Sequence, residues 1–253
     1  MLSPQEDAYG QSIYKHFRGG RAAEVVERDD GFVQSSIAIP AAYFDGFKKW
    51  PSHQRQAIRF VKGRVLDIGC GAGRVGLHLQ SRGHDVVSVD WSPLAIKVCR
   101  LRGVKNARVL SITQLTRRLG QFDTLVMFGT NFGLFANLRR ARWLLKRFHA
   151  MTSPQARIIA ETLHPYHRKL DPKRRKIFSK YLRFNRQRGR MPGQLRLRVR
   201  CGFACTPWFD YLIVSPSEMR SIVSGTGWRV TQLLDSEDPG WVGIYVAVIE
   251  KGK

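Results

Sequence analysis

The stretch Val65-Leu66-Asp67-Ile68-Gly69-Cys70-Gly71-Ala72-Gly73-Arg74 constrains this chain more than any other. Apolar residues lead into a carboxylate, three glycines alternate with small residues, and a helical pattern opens at Arg74. The order reads as strand, tight turn and helix. Glycine takes positive φ without strain and places no Cβ between the peptide groups and a bound molecule, while the first N–H groups of the following helix have no partner within it. A nucleotide-like ligand can therefore rest on the main chain itself.

Two readings of that turn compete. Gly71-Ala72-Gly73-Arg74-Val75-Gly76 spells G-x-G-x-x-G, the dinucleotide fingerprint, with Asp90 about twenty residues further on. The other reading starts earlier, at Asp67, because a dinucleotide turn normally has an apolar residue where this strand ends in an acid. Asp67-Ile68-Gly69-Cys70-Gly71-Ala72-Gly73, D-x-G-x-G-x-G, resembles motif I of the class I S-adenosylmethionine (SAM)-dependent methyltransferases. Asp90 closes a second strand, Asp85 to Asp90, and suits a ribose under either reading, since a carboxylate is the natural bidentate partner of a diol.

At 253 residues, 43% hydrophobic and 11% aromatic, the chain is expected to form one large domain or a domain with an elaborate cover. No apolar run reaches the roughly 18 residues of a membrane span, and Met1 to Gly10 carries acids without an apolar core, so neither a span nor a leader is expected. The expectation is a cytoplasmic protein with no membrane partner. Cys70, Cys99, Cys201 and Cys205 lack the two close doublets of a zinc site, so they read as reduced structural thiols with no metal. The net charge is +24, and residues 166–200 alone carry 14 basic and 1 acidic side chains. That segment supplies a field that concentrates anions, whether a nucleic acid, an acidic metabolite or a membrane surface.

Along the chain, Ala8 to Phe17 has helical spacing, Arg28 to Gly31 is a turn, Tyr43 to Trp50 is an aromatic cluster, and Ser52 to Val61 reads as a helix. From Arg64 strands and helices alternate as a parallel sheet requires: strands at about 64–69, 85–90, Ala107–Ser111, Phe122–Phe128 and Ala156–Leu163, with helices at about 73–82, from Pro93 to Arg102, and from Leu134 to Met151. A capped helix from Ser215 precedes a strand–turn–strand over 228–250. Between them lies a long basic excursion at about 165–214. In it Leu195, Leu197 and Val199 alternate with Arg196, Arg198 and Arg200, a pattern open to a hairpin.

The resemblance extends beyond the glycine turn. Asp90-Trp91-Ser92-Pro93, Ser111-Ile112 and the strand from Phe122 to Gly129 are similar to the successive regions of the same methyltransferases, over about residues 60–165. It implies an α/β fold with a doubly wound, mostly parallel seven-stranded sheet and a C-terminal antiparallel hairpin. Residues 1–62 would form an N-terminal helical cover, and 63–253 the SAM-binding domain, with 165–214 as an inserted acceptor-side cover. It further implies that Gly69 to Gly73, with Cys70 and Gly71 among them, wrap the methionine part of SAM, and that Asp67 belongs to the cofactor-binding set. Asp90 would take the ribose, Trp91 the adenine face and Ser111 with Ile112 the adenine edge, with Phe128 completing the set. Many members carry an acid at the Ser111 position, so a hydroxyl or the Ile112 backbone must serve here.

Methyl transfer from a sulfonium is an in-line displacement, which asks the protein to align the acceptor and exclude water. The chain lacks the Asn/Asp-Pro-Pro-aromatic motif of amino-methylating nucleic-acid enzymes and any Pro-Cys or Thr-Cys nucleophile after the Phe122 strand. Asn131 and His164 are the candidate catalytic residues. A small-molecule acceptor is the leading expectation. One alternative is an RNA-directed methyltransferase that stacks bases on Phe178, Tyr181, Phe184 and Trp208; another is a SAM- or nucleic-acid-binding module without catalysis.

Overall fold

The computed structural model describes residues 2–252. Its elements are α1 (Ala8–Phe17), β1 (Glu24–Arg28), β2 (Val33–Ser36), α2 (Ile39–Ala42), α3 (Ser52–Ala57), β3 (Val65–Ile68), α4 (Arg74–Ser81), β4 (Val86–Asp90), α5 (Pro93–Leu101) and β5 (Ala107–Val109). There follow β6 (Phe122–Met127), α6 (Leu138–Ala150), β7 (Thr152–Leu163), α7 (Pro172–Gln187), β8 (Gln194–Cys201), β9 (Ala204–Cys205), β10 (Phe209–Leu212), α8 (Pro216–Val223), β11 (Trp228–Asp235) and β12 (Ile244–Lys251). The chain is a mixed α/β protein whose central sheet is mostly parallel, with antiparallel strands from its C-terminal part. It divides into two compact units, one of residues up to Trp50, 64–115 and 196–209, the other of 51–63, 116–195 and from Asp210 on.

In the first unit β3, β4 and β5 run parallel in that order. All four residues of β3 are buried, as expected of a parallel strand covered on both faces. The N-terminal segment is tied to this sheet layer by one carboxylate. Asp7 accepts the Gly10 N–H at 3.0 Å, capping α1, and the Leu94 N–H at 3.0 Å in the first turn of α5. Ser92 caps α5 through the Ala95 N–H at 2.9 Å, with Pro93 at the first helical position.

A smaller antiparallel sheet extends the reading of the basic excursion. β8 folds back on β9 as a hairpin, and it also pairs with β1, which pairs with β2. Val199 is fully buried, and Arg198 and Arg200 both reach Glu27 on β1. The strand's outer face is therefore a paired ladder of opposite charges, and long-range pairing explains why its partner was invisible locally. Trp208 lies beneath the Arg198 guanidinium, 4.8 Å from ring centroid to Cζ.

In the second unit β6 and β7 are parallel, and β12 and β11 follow antiparallel, in the order β11-β12-β7-β6. Helix α6 starts at Leu138 rather than Leu134, because Ala136 takes φ +65° and Asn137 then caps the helix through the Arg140 N–H at 2.9 Å. Residues 131–135 form a separate 3-10 turn. Ala141, Leu144, Leu145 and Phe148 make the buried stripe of α6. On α7 Tyr181 is fully buried, so it offers no ring for base stacking, and Asn185 ties the helix to the following turn through the Pro192 and Gln194 carbonyls at 2.8 and 2.7 Å. No helix among the described residues is long and apolar enough to cross a membrane.

Candidate functional site

The glycine turn in the first unit follows β3 with Gly69, Gly71 and Gly73 at φ +73°, +54° and +79°, values that residues with a Cβ rarely adopt. Packing adds a second constraint at two of them. A Cβ on Gly73 would lie 2.6 Å from Val104 Cγ2 and 3.0 Å from Cys99 Sγ, and one on Gly71 would lie 3.3 Å from the Tyr43 ring. The N–H groups of Gly69 and Cys70 are spent on the Val89 carbonyl at 2.9 and 3.1 Å. The Ala72 N–H has no partner among the described residues.

Asp67 does not face the open side of the turn. It is buried, accepts the Ser88 hydroxyl at 3.3 Å and is hydrogen-bonded by the Gly76 N–H in the first turn of α4. The helix's own N-cap, Gly73, has no side chain to offer, so the strand carboxylate performs the capping. Burial pushes its carboxyl up to about 7, against the Ser88 hydrogen bond and the Arg74 charge. Cys70 likewise turns inward, its Sγ 3.7 Å from that of Cys99, which donates to the Gly71 carbonyl at 3.1 Å. The contact with Cys99 and burial hold the Cys70 thiol well above its ordinary range. Both residues shape the turn from its inner side.

Asp90, half-buried at the end of β4, braces the turn from the side. Its Oδ2 accepts the Gly71 N–H and its Oδ1 the Ser92 N–H, each at 3.0 Å. Burial pushes this carboxyl up to about 6; the backbone donors at Ser92 and Gly71 oppose the rise, and the Asp7 charge adds to it. The Trp91 N–H is a third backbone donor beside this group, and a carboxylate has about four lone-pair positions, so acceptor capacity remains for an added hydroxyl donor. Next to it the half-buried Trp91 ring meets Phe209 edge-on, centroids 5.9 Å apart. Ser111 closes a capping box on the turn 112–114: its hydroxyl takes the Thr113 N–H at 3.3 Å while its own N–H goes to Gln114 Oε1 at 2.8 Å. The Leu110 N–H bonds the Asp90 carbonyl at 2.8 Å, which ties this turn to the end of β4.

Residues before 50 cover the turn. Ile13, Ala72, Ala95 and Val98 form one buried cluster, with Tyr14, Tyr43 and Phe44 packed on it. The Tyr43 hydroxyl donates to Glu24 Oε2 at 3.3 Å, and the Ser12 hydroxyl donates to Glu24 Oε1. Burial raises the Glu24 carboxyl despite these two donors. Arg102 donates to the Ala72 carbonyl at 2.5 Å and lies over the Phe44 ring. Neither Asp7 nor Glu24 was singled out by sequence reasoning; a carboxylate one residue ahead of a helix was the available signal for Asp7.

Phe128, Asn131 and His164 belong to the second unit. Phe128 is buried at the end of β6, and Asn131, half-buried, opens the 3-10 turn. Between them Gly129 and Thr130 take φ +74° and +60° and donate both N–H groups to Glu161 Oε2, the Thr130 bond at 3.1 Å. Glu161 is fully buried and also holds His53 Nε2 at 2.7 Å and Gln54 Nε2 at 2.9 and 3.0 Å. Burial alone would raise this carboxyl; the His53 and Gln54 bonds and the turn's backbone donors bring it below the ordinary value. His164 Nδ1 accepts the Tyr166 N–H at 3.2 Å, and burial, with His167 nearby, lowers its pKa. The neutral ring then carries its proton on Nε2, which makes this imidazole a donor before it is a base.

The family model described as a methyltransferase domain matches residues 65–155. A SAM-dependent methyltransferase from Bacteroides fragilis, solved with S-adenosyl-L-homocysteine, has the same fold: TM-score 0.79 at 21% identity, over 100% of this chain and 98% of that one. The 2-heptyl-1-hydroxyquinolin-4(1H)-one methyltransferase of Mycobacteroides abscessus is 38% identical over 72 residues, 26% of this chain and 32% of its own length. A ubiquinone biosynthesis O-methyltransferase of Xanthomonas oryzae pv. oryzae is 35% identical over 68 residues, 24% of this chain and 28% of its own. The chain thus spans about a third of the length of the curated relatives it matches. The turn fits the nucleoside that such proteins bind: positive-φ glycines, an unpartnered Ala72 N–H and a braced carboxylate with room for an added hydroxyl donor. Residues 65–155 thus match a methyltransferase domain, and the chain has the fold of a SAM-dependent methyltransferase.

Proposed function

We propose that this protein transfers the methyl group of SAM to a small-molecule acceptor. The observation that carries the reading is Asp90, which bonds the Gly71 N–H and so joins a diol-binding carboxylate to the bare turn. SAM supplies an electrophilic methyl on a sulfonium, and the chain's own residues bind, align and dry the reactants. The backbone of Gly69, Cys70, Gly71 and Gly73 would hold the methionine part, Asp67 would keep the turn and α4 in register, and Asp90 would accept the ribose hydroxyls. Trp91 would cover the adenine face and the Ser111–Ile112 turn its edge, where the Ile112 backbone is the better partner because the Ser111 hydroxyl is engaged with Thr113. Phe128 would add apolar wall. Asn131 would orient the acceptor, and His164 would donate a hydrogen bond through Nε2. Residues 1–62 would close over the cofactor, and 165–214 would form the acceptor-side cover.

The names of the matching relatives, which specify a quinolone and ubiquinone biosynthesis, support a small acceptor. An RNA acceptor finds less support, since Tyr181 is buried and Trp208 is stacked under Arg198. The test is incubation of the protein and methyl-tritiated SAM with separated cell-extract fractions. Label in the small-molecule fraction, resistant to nuclease, is the expected result. Label in RNA that disappears with nuclease would overturn the acceptor class. SAM binding with no transfer to any fraction would overturn catalysis.

A further inference from the structure

Two non-glycine residues among those described have positive φ, Thr130 at +60° and Ala136 at +65°, and they stand at the two ends of one 3-10 turn, 131–135. A β-branched residue in the left-handed region is strained and persists only where its surroundings over-determine it. Here the surroundings are a buried constellation from three distant parts of the second unit. Glu161 on β7 takes the Gly129 and Thr130 N–H groups, and His53 and Gln54 on α3 hold the same carboxylate. Tyr211 on β10 donates to the Thr130 carbonyl at 2.8 Å and meets the Thr130 hydroxyl at 2.9 Å. Its ring lies where a Cβ on Gly133 would have to go. The turn follows the carboxyl end of a parallel strand, the edge at which open α/β sheets bind ligands.

We infer that Glu161 and Tyr211 are positioning residues for methyl transfer: they pin the turn 129–135 in its strained form and so fix Asn131 for the acceptor. This rests on the methyltransferase reading proposed above. A carboxylate suits the task because it accepts from four donors at once, whereas an amide in its place would turn an N–H toward at least one of them. Its burial excludes water as a substitute partner, so losing an acceptor position releases the turn.

The test uses the full-length protein and two variants, Glu161→Gln and Tyr211→Phe, the second being isosteric and keeping the ring on Gly133. Two readouts are taken: amide hydrogen exchange of the peptide over 128–137, and steady-state transfer of tritiated methyl from SAM to the small-molecule extract fraction that accepts label from the wild type. In both variants exchange at Gly129 and Thr130 should rise, kcat should fall about tenfold or more, and the KM for SAM should stay within about twofold, since misplacement of a reacting group acts on the transfer step. The conservative Glu161→Asp should recover part of the kcat that Glu161→Gln loses. Faster exchange with kcat unchanged would make the constellation merely structural and overturn the inference; so would unchanged exchange. If the wild type labels no fraction, the methyltransferase reading fails, and the exchange readout still shows whether the turn is pinned.

Discussion

The chain makes two left-handed turns at the ends of parallel strands by opposite means. At 69–73 every left-handed position is a glycine, and the conformation is written into the local sequence. At 129–136 the left-handed positions after Gly129 fall on Thr130 and Ala136, and the backbone is held by Glu161, His53, Gln54 and Tyr211 from elsewhere in the chain. The first turn is cheap to form and needs only room for its ligand. The second depends on folded surroundings, which suits a segment whose geometry must be specified more tightly than local sequence can manage.

The sharpest way to separate the two is alanine at a glycine in each. Gly73 and Gly129 have nearly the same φ, +79° and +74°, but a Cβ on Gly73 would collide with Val104 and Cys99 while one on Gly129 would meet nothing within 4 Å. Gly73→Ala should cost about 3 kcal/mol in a denaturant titration, strain plus overpacking, and Gly129→Ala about 1 kcal/mol from strain alone. Equal losses would remove the packing argument for the first turn. Next in size, Asp90→Ala should weaken SAM binding by about one to two orders of magnitude in calorimetry, because a desolvated diol loses its charged acceptor. Unchanged affinity would undo the ribose assignment.

The pH dependence of SAM affinity should be smaller and directional. Hydroxyl donors bind the ionised carboxylate, and burial raises Asp90 to about 6. The proton must therefore leave before the ribose binds. Affinity should be flat above about pH 7 and fall by about tenfold per unit as pH drops well below 6, and Asp90→Asn should flatten the profile. The smallest effect concerns the basic strand. Charge reversal of Arg198 and Arg200 should lower the denaturation midpoint slightly through loss of the Glu27 ladder, with SAM affinity unchanged. A drop in SAM affinity without loss of stability would contradict the sheet-pairing role.

What was legible in the sequence follows the same division. The glycine turn, its acid at Asp67, the Ser92-Pro93 helix start and the strand alternation are local patterns, and they located the fold and the candidate nucleotide site. The part Asp67 plays in capping the next helix shows only in the packed structure, because it depends on where α4 returns against the strand end. Pairing of β8 with β1 and the Glu161 constellation join residues far apart in the chain, and no spacing rule reports them. A signal did exist for the latter: Glu161 interrupts the otherwise apolar run Ile158-Ile159-Ala160, and an acid that interrupts a buried strand must find partners. The apolar spacing of Phe132, Leu134 and Phe135 continues the helical pattern across the break at Ala136, so the local sequence does not show that α6 begins only at Leu138.

The central claim is that the bare turn after β3, braced by Asp90, receives the nucleoside of SAM and not a pyridine dinucleotide. Calorimetric titration of the purified protein with SAM, and separately with NAD, tests it directly. The account predicts a saturable one-to-one heat with SAM and none with NAD under the same conditions. Saturation by NAD with no response to SAM would contradict it.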